Sequence, residues 1–471
     1  MKRTAILGVA ALFTAVLAGQ AWGEPAVTPL REVSDTGWID GSNLLKAQDA
    51  DGYYITDVDG NALTPSGYSS SMYCENGYVS AYKPADNVNC EGLLSPQGTE
   101  IIEFRYGDIK VPNEHWAAAF VLTPADANNY DYESWFSGDD GDKYYLIETV
   151  DFYHLADGTA ALAGSFAREN CMDYSARGDY LAVEDRTSGE VKLYDSAFNV
   201  VAEGLDSVYT DVDGILTEDY EIFSDNGQQG VKDKDGNVLI EPAYRYVYDI
   251  KNGYARVSTG DFYGLLDMNG NVIVPAEADE LVSSYVGPAS DGGSSYVCAG
   301  YAAAIMDGKL AFYDLEGNQT VAPTLVKDLV EVNGASATYS DLEGKTHILA
   351  ADGVDTVLDD AHKDVRALNY GSGLLYEFKD EDYNKGLIDW HGNEILPMGQ
   401  YSVELSGDGQ YLLNGTDYEN GVLYTVDYGT GSAAAAPAEA APAGETPAEE
   451  APADAAPAGD SQADGVSADA A

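Results

Sequence analysis

Apolar and polar residues alternate in short runs along most of the chain, and glycine, asparagine or aspartate interrupts them every few residues. In "YGLLDMNGNVIVP", residues 263–275, two apolar runs flank Asp267, Met268, Asn269, Gly270 and Asn271. Such runs predict strands, and a glycine between them predicts a hairpin turn. In "AYRYVYDI" the residues Tyr244, Tyr246, Tyr248 and Ile250 alternate with Arg245, Val247 and Asp249, so the first set is expected on one face of a single strand. No 3.6-residue period is sustained beyond the first residues, so helix content should be very low.

The turn phrase returns as "YYITDVDGNALTP" from Tyr53, "EGLLSPQGTEII" from Glu91, "QGVKDKDGNVLIEP" from Gln229, "LAFYDLEGNQTVAP" from Leu310 and "KGLIDWHGNEILP" from Lys385. Looser copies start at Tyr153, Lys192 and His347. Recurrence mostly every 34 to 47 residues marks an array of similar units. A second phrase precedes the first, as in "NGYVSAY" at Gly77 and "NGYARVS" at Gly253, with further copies at Gly300, Gly334 and Gly373. From these glycines to the following turn glycines the count is 21, 17, 17, 19 and 19. One unit therefore reads as a strand opened by Gly, a second strand, a tight turn, a third strand closed by Pro, and a further aromatic strand.

Four short strands in about 40 residues suit a propeller blade or a layer of stacked hairpins. The expected fold is all-β, a repeat array of short antiparallel sheets in a β-propeller-like ring, because closure removes exposed sheet edges. An open β-solenoid of stacked hairpins is the alternative. The roughly nine detectable units slightly exceed the four to eight blades of an ordinary ring, which leaves room for extra strands or two unequal subdomains.

The turn residues allow two chemistries. A calcium loop gathers about six to eight oxygens from roughly twelve residues, with Gly at the sixth place and Glu at the twelfth. Counting from Asp267, those places hold Val272 and Ala278; from Asp57 they hold Ala62 and Tyr68, and from Asp233 they hold Val238 and Tyr244. A hairpin accounts for more of the pattern, with Gly60, Gly236, Gly270, Gly317 and Gly392 in the left-handed region and Asn61, Asn237, Asn271, Asn318 and Asn393 beside them. Asp267 is then expected to accept hydrogen bonds from the N–H groups of its own turn.

These phrases resemble the WG-repeat proteins, also called KWG repeats, whose unit reads aromatic-Gly-apolar-apolar-Asp-x-x-Gly-Lys/Asn-x-apolar-apolar-Pro. The matching residues are Tyr263, Gly264, Leu265, Leu266, Asp267, Gly270, Asn271, Ile273 and Pro275, and again Lys385, Gly386, Leu387, Ile388, Asp389, Gly392, Asn393, Ile395 and Pro397. In weakened form the resemblance covers most of residues 50–430. The namesake Trp is replaced by Tyr, Lys, Gln or Glu. The resemblance implies the fold and leaves the activity open.

Charge narrows the partners. The chain has 80 acidic and 24 basic residues, net −56, which repels nucleic acid and anionic lipid. "MKR", an apolar run and "QAWGEP" have the three parts of a secretory signal peptide over residues 1–23, so residues 24–430 are expected to form the exported β-repeat domain. No later segment is apolar enough to span a membrane as a helix, so no membrane insertion is expected after cleavage. Residues 431–471, rich in Ala, Pro and acid, read as a disordered spacer. Export permits oxidation, and Cys74 and Cys90, placed on neighbouring strands by the repeat reading, are the expected disulfide.

Chemistry is sparse. The five histidines, His115, His154, His347, His362 and His391, show no metal-ligand spacing, and there is no nucleotide or nucleophile fingerprint, so no metal, cofactor or catalytic residue is assigned. An insertion, "TPADANNYDYESWFSGDDGDK" from Thr123, breaks the repeat rhythm and carries Tyr130, Tyr132, Trp135 and Phe136. Inserted loops in arrays carry binding, and large aromatics stack on sugars or fill pockets on proteins. The expectation is an exported, non-enzymatic binding or scaffold protein, secreted or held in the periplasm or cell envelope, that meets an extracytoplasmic protein or polysaccharide. Its rivals are a carbohydrate-active enzyme using a carboxylate pair on a propeller, and a structural spacer.

Overall fold

The computed structural model describes residues 24–84, 88–125, 134–138, 141–167, 171, 173–210, 212, 220–285, 294–368 and 372–429. The expected signal segment and the acidic tail lie outside these residues.

Ten antiparallel sheets of three to five strands follow one another along the described chain. Sheets 1 to 5 occupy residues 36–56, 72–106, 108–167, 173–205 and 220–244. Sheets 6 to 10 occupy residues 246–278, 280–326, 330–357, 363–400 and 402–427. A two-stranded ribbon, Ser284–Tyr285 with Ser294–Ser295, is inserted in the chain between strands Glu280–Val282 and Val297–Cys298 of sheet 7. The helical content of the described residues is one 3-10 turn, Lys327–Leu329. No helix among them is long and apolar enough to cross a membrane.

The first strand, Ala26–Ser34, pairs with the last, Asn420–Asp427, and completes sheet 10. The array therefore closes end to end as a propeller-like ring, and Leu45 of sheet 1 packs with Leu413 and Leu423 of sheet 10.

Both faces of the sheets are buried. In sheet 6, Val247, Ala255, Val257 and Leu266 pack with Val231 and Ile240 of sheet 5. On the opposite face Leu265, Ile273 and Val274 pack with Ala302, Ala304 and Ala311 of sheet 7. This is why the phrase needs two apolar residues in succession, since adjacent residues of a strand point to opposite faces. Leu265 and Leu266 are 0% and 3% exposed, and burial of each contributes roughly 2–3 kcal/mol.

Three expectations are corrected. First, the aromatic strand does not close its own unit. Tyr244 ends the last strand of sheet 5, Arg245 is a one-residue bend, and Tyr246–Lys251 is the first strand of sheet 6. Gly107, Asp279 and Tyr401 are the corresponding bends after sheets 2, 6 and 9. The bend lets one run of alternating residues serve two sheets, so Tyr244 and Tyr246 do not share a strand.

Second, Pro275 lies inside Val272–Ala278 and does not end it. The register with Tyr263–Asp267 slips there, and the strand has no partner on its other side within the sheet, so the missing N–H costs no ladder bond. The slip brings backbone close to the Gly of the aromatic-Gly pair. A Cβ on Gly264 would lie 2.9 Å from Ala276 Cα, and one on Gly230 would lie 2.4 Å from the Ile240 carbonyl oxygen.

Third, Cys74 and Cys90 are free, as are Cys171 and Cys298. The strand Tyr78–Tyr82 lies between the strand of Cys74 and the strand that follows Cys90. Cys74 is opposite Val79, whereas Cys90 bonds to Lys83. Two strand spacings total roughly 10 Å, beyond the Cα separation a disulfide spans.

Candidate functional site

The recurring turn spends its oxygens on itself. Asp267 Oδ1 accepts the N–H groups of Asn269 at 2.9 Å and Asn271 at 2.8 Å, and Oδ2 accepts the Asn271 amide at 2.7 Å. Gly270 has φ 80°, in the left-handed region. The same Asp–Asn bracket recurs at Asp57/Asn61, Asp233/Asn237, Asp314/Asn318 and Asp389/Asn393, with φ between 79° and 88° at Gly60, Gly236, Gly317 and Gly392. It also recurs at Asp195/Asn199 and Asp380/Asn384, where Phe198 and Tyr383 take the positive-φ position. The bracket therefore does not require glycine, and glycine does not require the bracket, since Gly98 takes φ 78° in a turn where Ser95 Oγ accepts the Thr99 N–H. Hydrogen bonds from the side chain and then the backbone of Asn237 hold the Asp233 carboxyl below the usual aspartate range.

Of the inserted aromatics, Tyr130 and Tyr132 lie outside the described residues. Trp135 and Phe136 lie on the strand Ser134–Gly138, paired with Tyr144 and Lys143 of Gly141–Ala156. The insertion read as a loop therefore contains a hairpin that lengthens sheet 3.

Sheet 6 carries an aromatic and cationic ladder. Tyr246 and Tyr248, on its first strand, are 40% and 44% exposed. Their ring centroids are 5.9 Å apart, and Tyr248 is 6.0 Å from Tyr263. The Arg256 guanidinium lies 4.6 Å from the Tyr248 ring centre and 5.7 Å from those of Tyr263 and Tyr296. Arg245 lies 5.2 Å from Tyr246. Strand alternation explains the grouping, because Tyr246 pairs with Ser258 and Ser258 with Tyr263, so these side chains share a face. Such a surface offers flat, stiff rings and planar cations to a partner.

Two titratable constellations have no signature in the sequence. Glu91 fills the aromatic place of its aromatic-Gly pair and is 0% exposed. Tyr73 donates to its Oε1 at 2.7 Å and Tyr82 to its Oε2 at 2.9 Å. Burial pushes its pKa up to about 7, against the pull of these hydrogen bonds. The second joins sheets 3 and 4: Asp179 Oδ1 lies 3.3 Å from His115 Nδ1 and 3.4 Å from His154 Nε2. These three residues come from three separate segments, and no short motif holds them, so their spacing gives no signal.

Set against known proteins, residues 230–261, which include Arg245, Tyr246, Tyr248 and Arg256, match the family model described as WG containing repeat. No curated protein matches the sequence. Among solved structures, BamB from Moraxella catarrhalis aligns at 12% identity and TM-score 0.24, covering 85% of this chain and 99% of that one. A eukaryotic initiation factor aligns at 12% identity and TM-score 0.27, covering 79% and 89%. The C-terminal WD40 domain of Sif2 aligns at 8% identity and TM-score 0.24, covering 86% and 99%. Superpositions this loose carry no argument; the sheet order and the closing strand pair define the fold.

Proposed function

We propose that this chain is an exported, non-enzymatic binding protein whose β-repeat ring presents the tyrosine–arginine ladder of sheet 6 to a protein outside the cytoplasm. The observation that carries this reading is the ladder itself, with Tyr246 and Tyr248 40% and 44% exposed and Arg256 set among three rings. Tyr and Arg are the residue types enriched where truncation costs most binding energy. Stiff rings lose little conformational freedom on contact. The net charge of −56 favours a partner with a basic face and speeds their encounter. The rival reading, an enzyme with a carboxylate pair, gains nothing from Glu91, because both of its oxygens are engaged by tyrosines in a sealed position.

The test immobilises the chain and presents envelope protein fractions and envelope polysaccharide separately. The double variant Tyr246→Ala/Tyr248→Ala should lose a captured protein while its thermal melt stays near that of the parent. A second variant, Trp135→Ala/Phe136→Ala, reads the inserted hairpin in the same assay. Undiminished capture by the Tyr246/Tyr248 variant, or capture of polysaccharide alone, would overturn the proposal.

A further inference from the structure

We infer that His115, His154 and Asp179 form a binding site for a single zinc-class divalent cation that clasps sheet 3 to sheet 4. Each ligand stands on a backbone feature fixed independently of the other two. His115 lies in the turn between Asp108–Asn113 and Trp116–Ala125, and its carbonyl accepts the Leu155 N–H at 2.7 Å. His154 lies near the end of Gly141–Ala156, paired in register with Trp116 and edge-on to the Trp116 ring at 5.2 Å. Asp179 sits in the two-residue turn between Arg177 and Tyr180, which are cross-strand partners. Asn113 donates to the Gly178 carbonyl at 3.1 Å and so ties this turn to sheet 3.

The distances suit a metal. Tetrahedral zinc bonds of about 2.0–2.1 Å place neighbouring ligand atoms roughly 3.3 Å apart. The two nitrogen-to-oxygen separations are 3.3 and 3.4 Å, and all three ligand atoms lie within 4.8 Å of one another. The imidazoles are nearly parallel, with 12° between their planes. Glu114 Oε1 lies 3.3 Å from His115 Nε2, within reach of the far ring nitrogen when a cation takes Nδ1. A carboxylate on the far nitrogen is the usual support for a metal-bound histidine. A proton on one imidazole satisfies one of the contacts to Asp179 Oδ1, whereas a cation satisfies both and the lone pairs as well.

Two imidazoles and one carboxylate favour zinc, cobalt, nickel or copper over calcium and magnesium, which prefer oxygen alone. The acidic protein raises the local concentration of every cation, so selectivity is the distinguishing property. Three protein ligands leave one position for water or for a group on a partner.

The untagged, chelator-treated chain is titrated with Co2+ and Zn2+ in excess Mg2+ and Ca2+, followed by calorimetry, the visible spectrum of Co2+ and the thermal melt. The expected result is one ion per chain, a Co2+ spectrum with nitrogen ligation, and a raised melting temperature. His154→Ala and His115→Ala should each weaken binding at least about tenfold, and Glu114→Gln about tenfold or less. His115 is partly exposed on a turn, so His115→Ala keeps the test decisive if His154→Ala fails to fold. Absence of saturable one-to-one binding, displacement by Ca2+, or unchanged affinity in His115→Ala would overturn the assignment.

Discussion

Glu91→Gln tests the packing logic at its most expensive point. Glu91 is fully buried, with both oxygens accepting from tyrosines. Burial raises its pKa from 4.5 to about 7. The folded chain therefore holds a proton between those values that the unfolded chain has released. Stability must fall as pH rises through this window and stay at the lower level above it. At about 1.4 kcal/mol per pH unit, the loss amounts to about 3 kcal/mol. Gln has nearly the same shape and is neutral throughout, so the variant should be more stable than the parent by up to about 3 kcal/mol at pH 8, shrinking toward zero near pH 4. Urea denaturation of both proteins across this range, with thermal melts separated by a few degrees at the alkaline end, measures the difference directly. A pH-independent difference, or a variant less stable at pH 8 than at pH 5 relative to its parent, would refute the reasoning.

The remaining outcomes concern the turns. Gly236→Ala should cost about 1–2 kcal/mol for its left-handed backbone alone, because an added Cβ meets nothing within 4 Å. Gly317→Ala should cost more, since its Cβ would lie 2.4 Å from the Val272 carbonyl oxygen. Tyr383, at φ 64° and 80% exposed, predicts the reverse: Tyr383→Gly should stabilise by about 1 kcal/mol in urea denaturation. Asp267→Ala removes the acceptor of four turn hydrogen bonds and should cost about 1–2 kcal/mol at pH 7. Partial burial raises the Asp267 pKa, but hydrogen bonds from Asn271 and Asn269 outweigh it and leave the net shift downward. Its contribution is therefore present above the usual 3.8 and lost as pH falls through the lower folded value, so parent and variant should converge in strong acid.

Much of the ring is legible in the sequence. The apolar runs around Leu265 and Leu387 predict strands, and Asp267 with Gly270 predicts the turn, whereas burial of Leu265 and Leu266 on opposite faces follows only from the stacking of the sheets. The handedness at Gly270 is legible in the sequence, whereas the bond of Asn271 is not: its amide returns to Asp267 Oδ2 at 2.7 Å. Tyr246 was legible as strand and illegible as surface, because its exposure depends on where the bend at Arg245 turns it. The histidine pair was hidden for the same reason, as Trp116 and His154 become partners only when sheet 3 pairs in its own register.

What the sequence determined by itself is local: alternation that makes strands, and an Asp–Asn bracket within five residues that makes turns, both set by neighbours along the chain. The tertiary structure alone decided which strands share a sheet, that the first strand pairs with the last, that Cys74 and Cys90 stay apart, and that His115, His154 and Asp179 meet. Those outcomes depend on burying both faces of the sheets and pairing their free edges, a requirement of the whole chain that no short segment encodes.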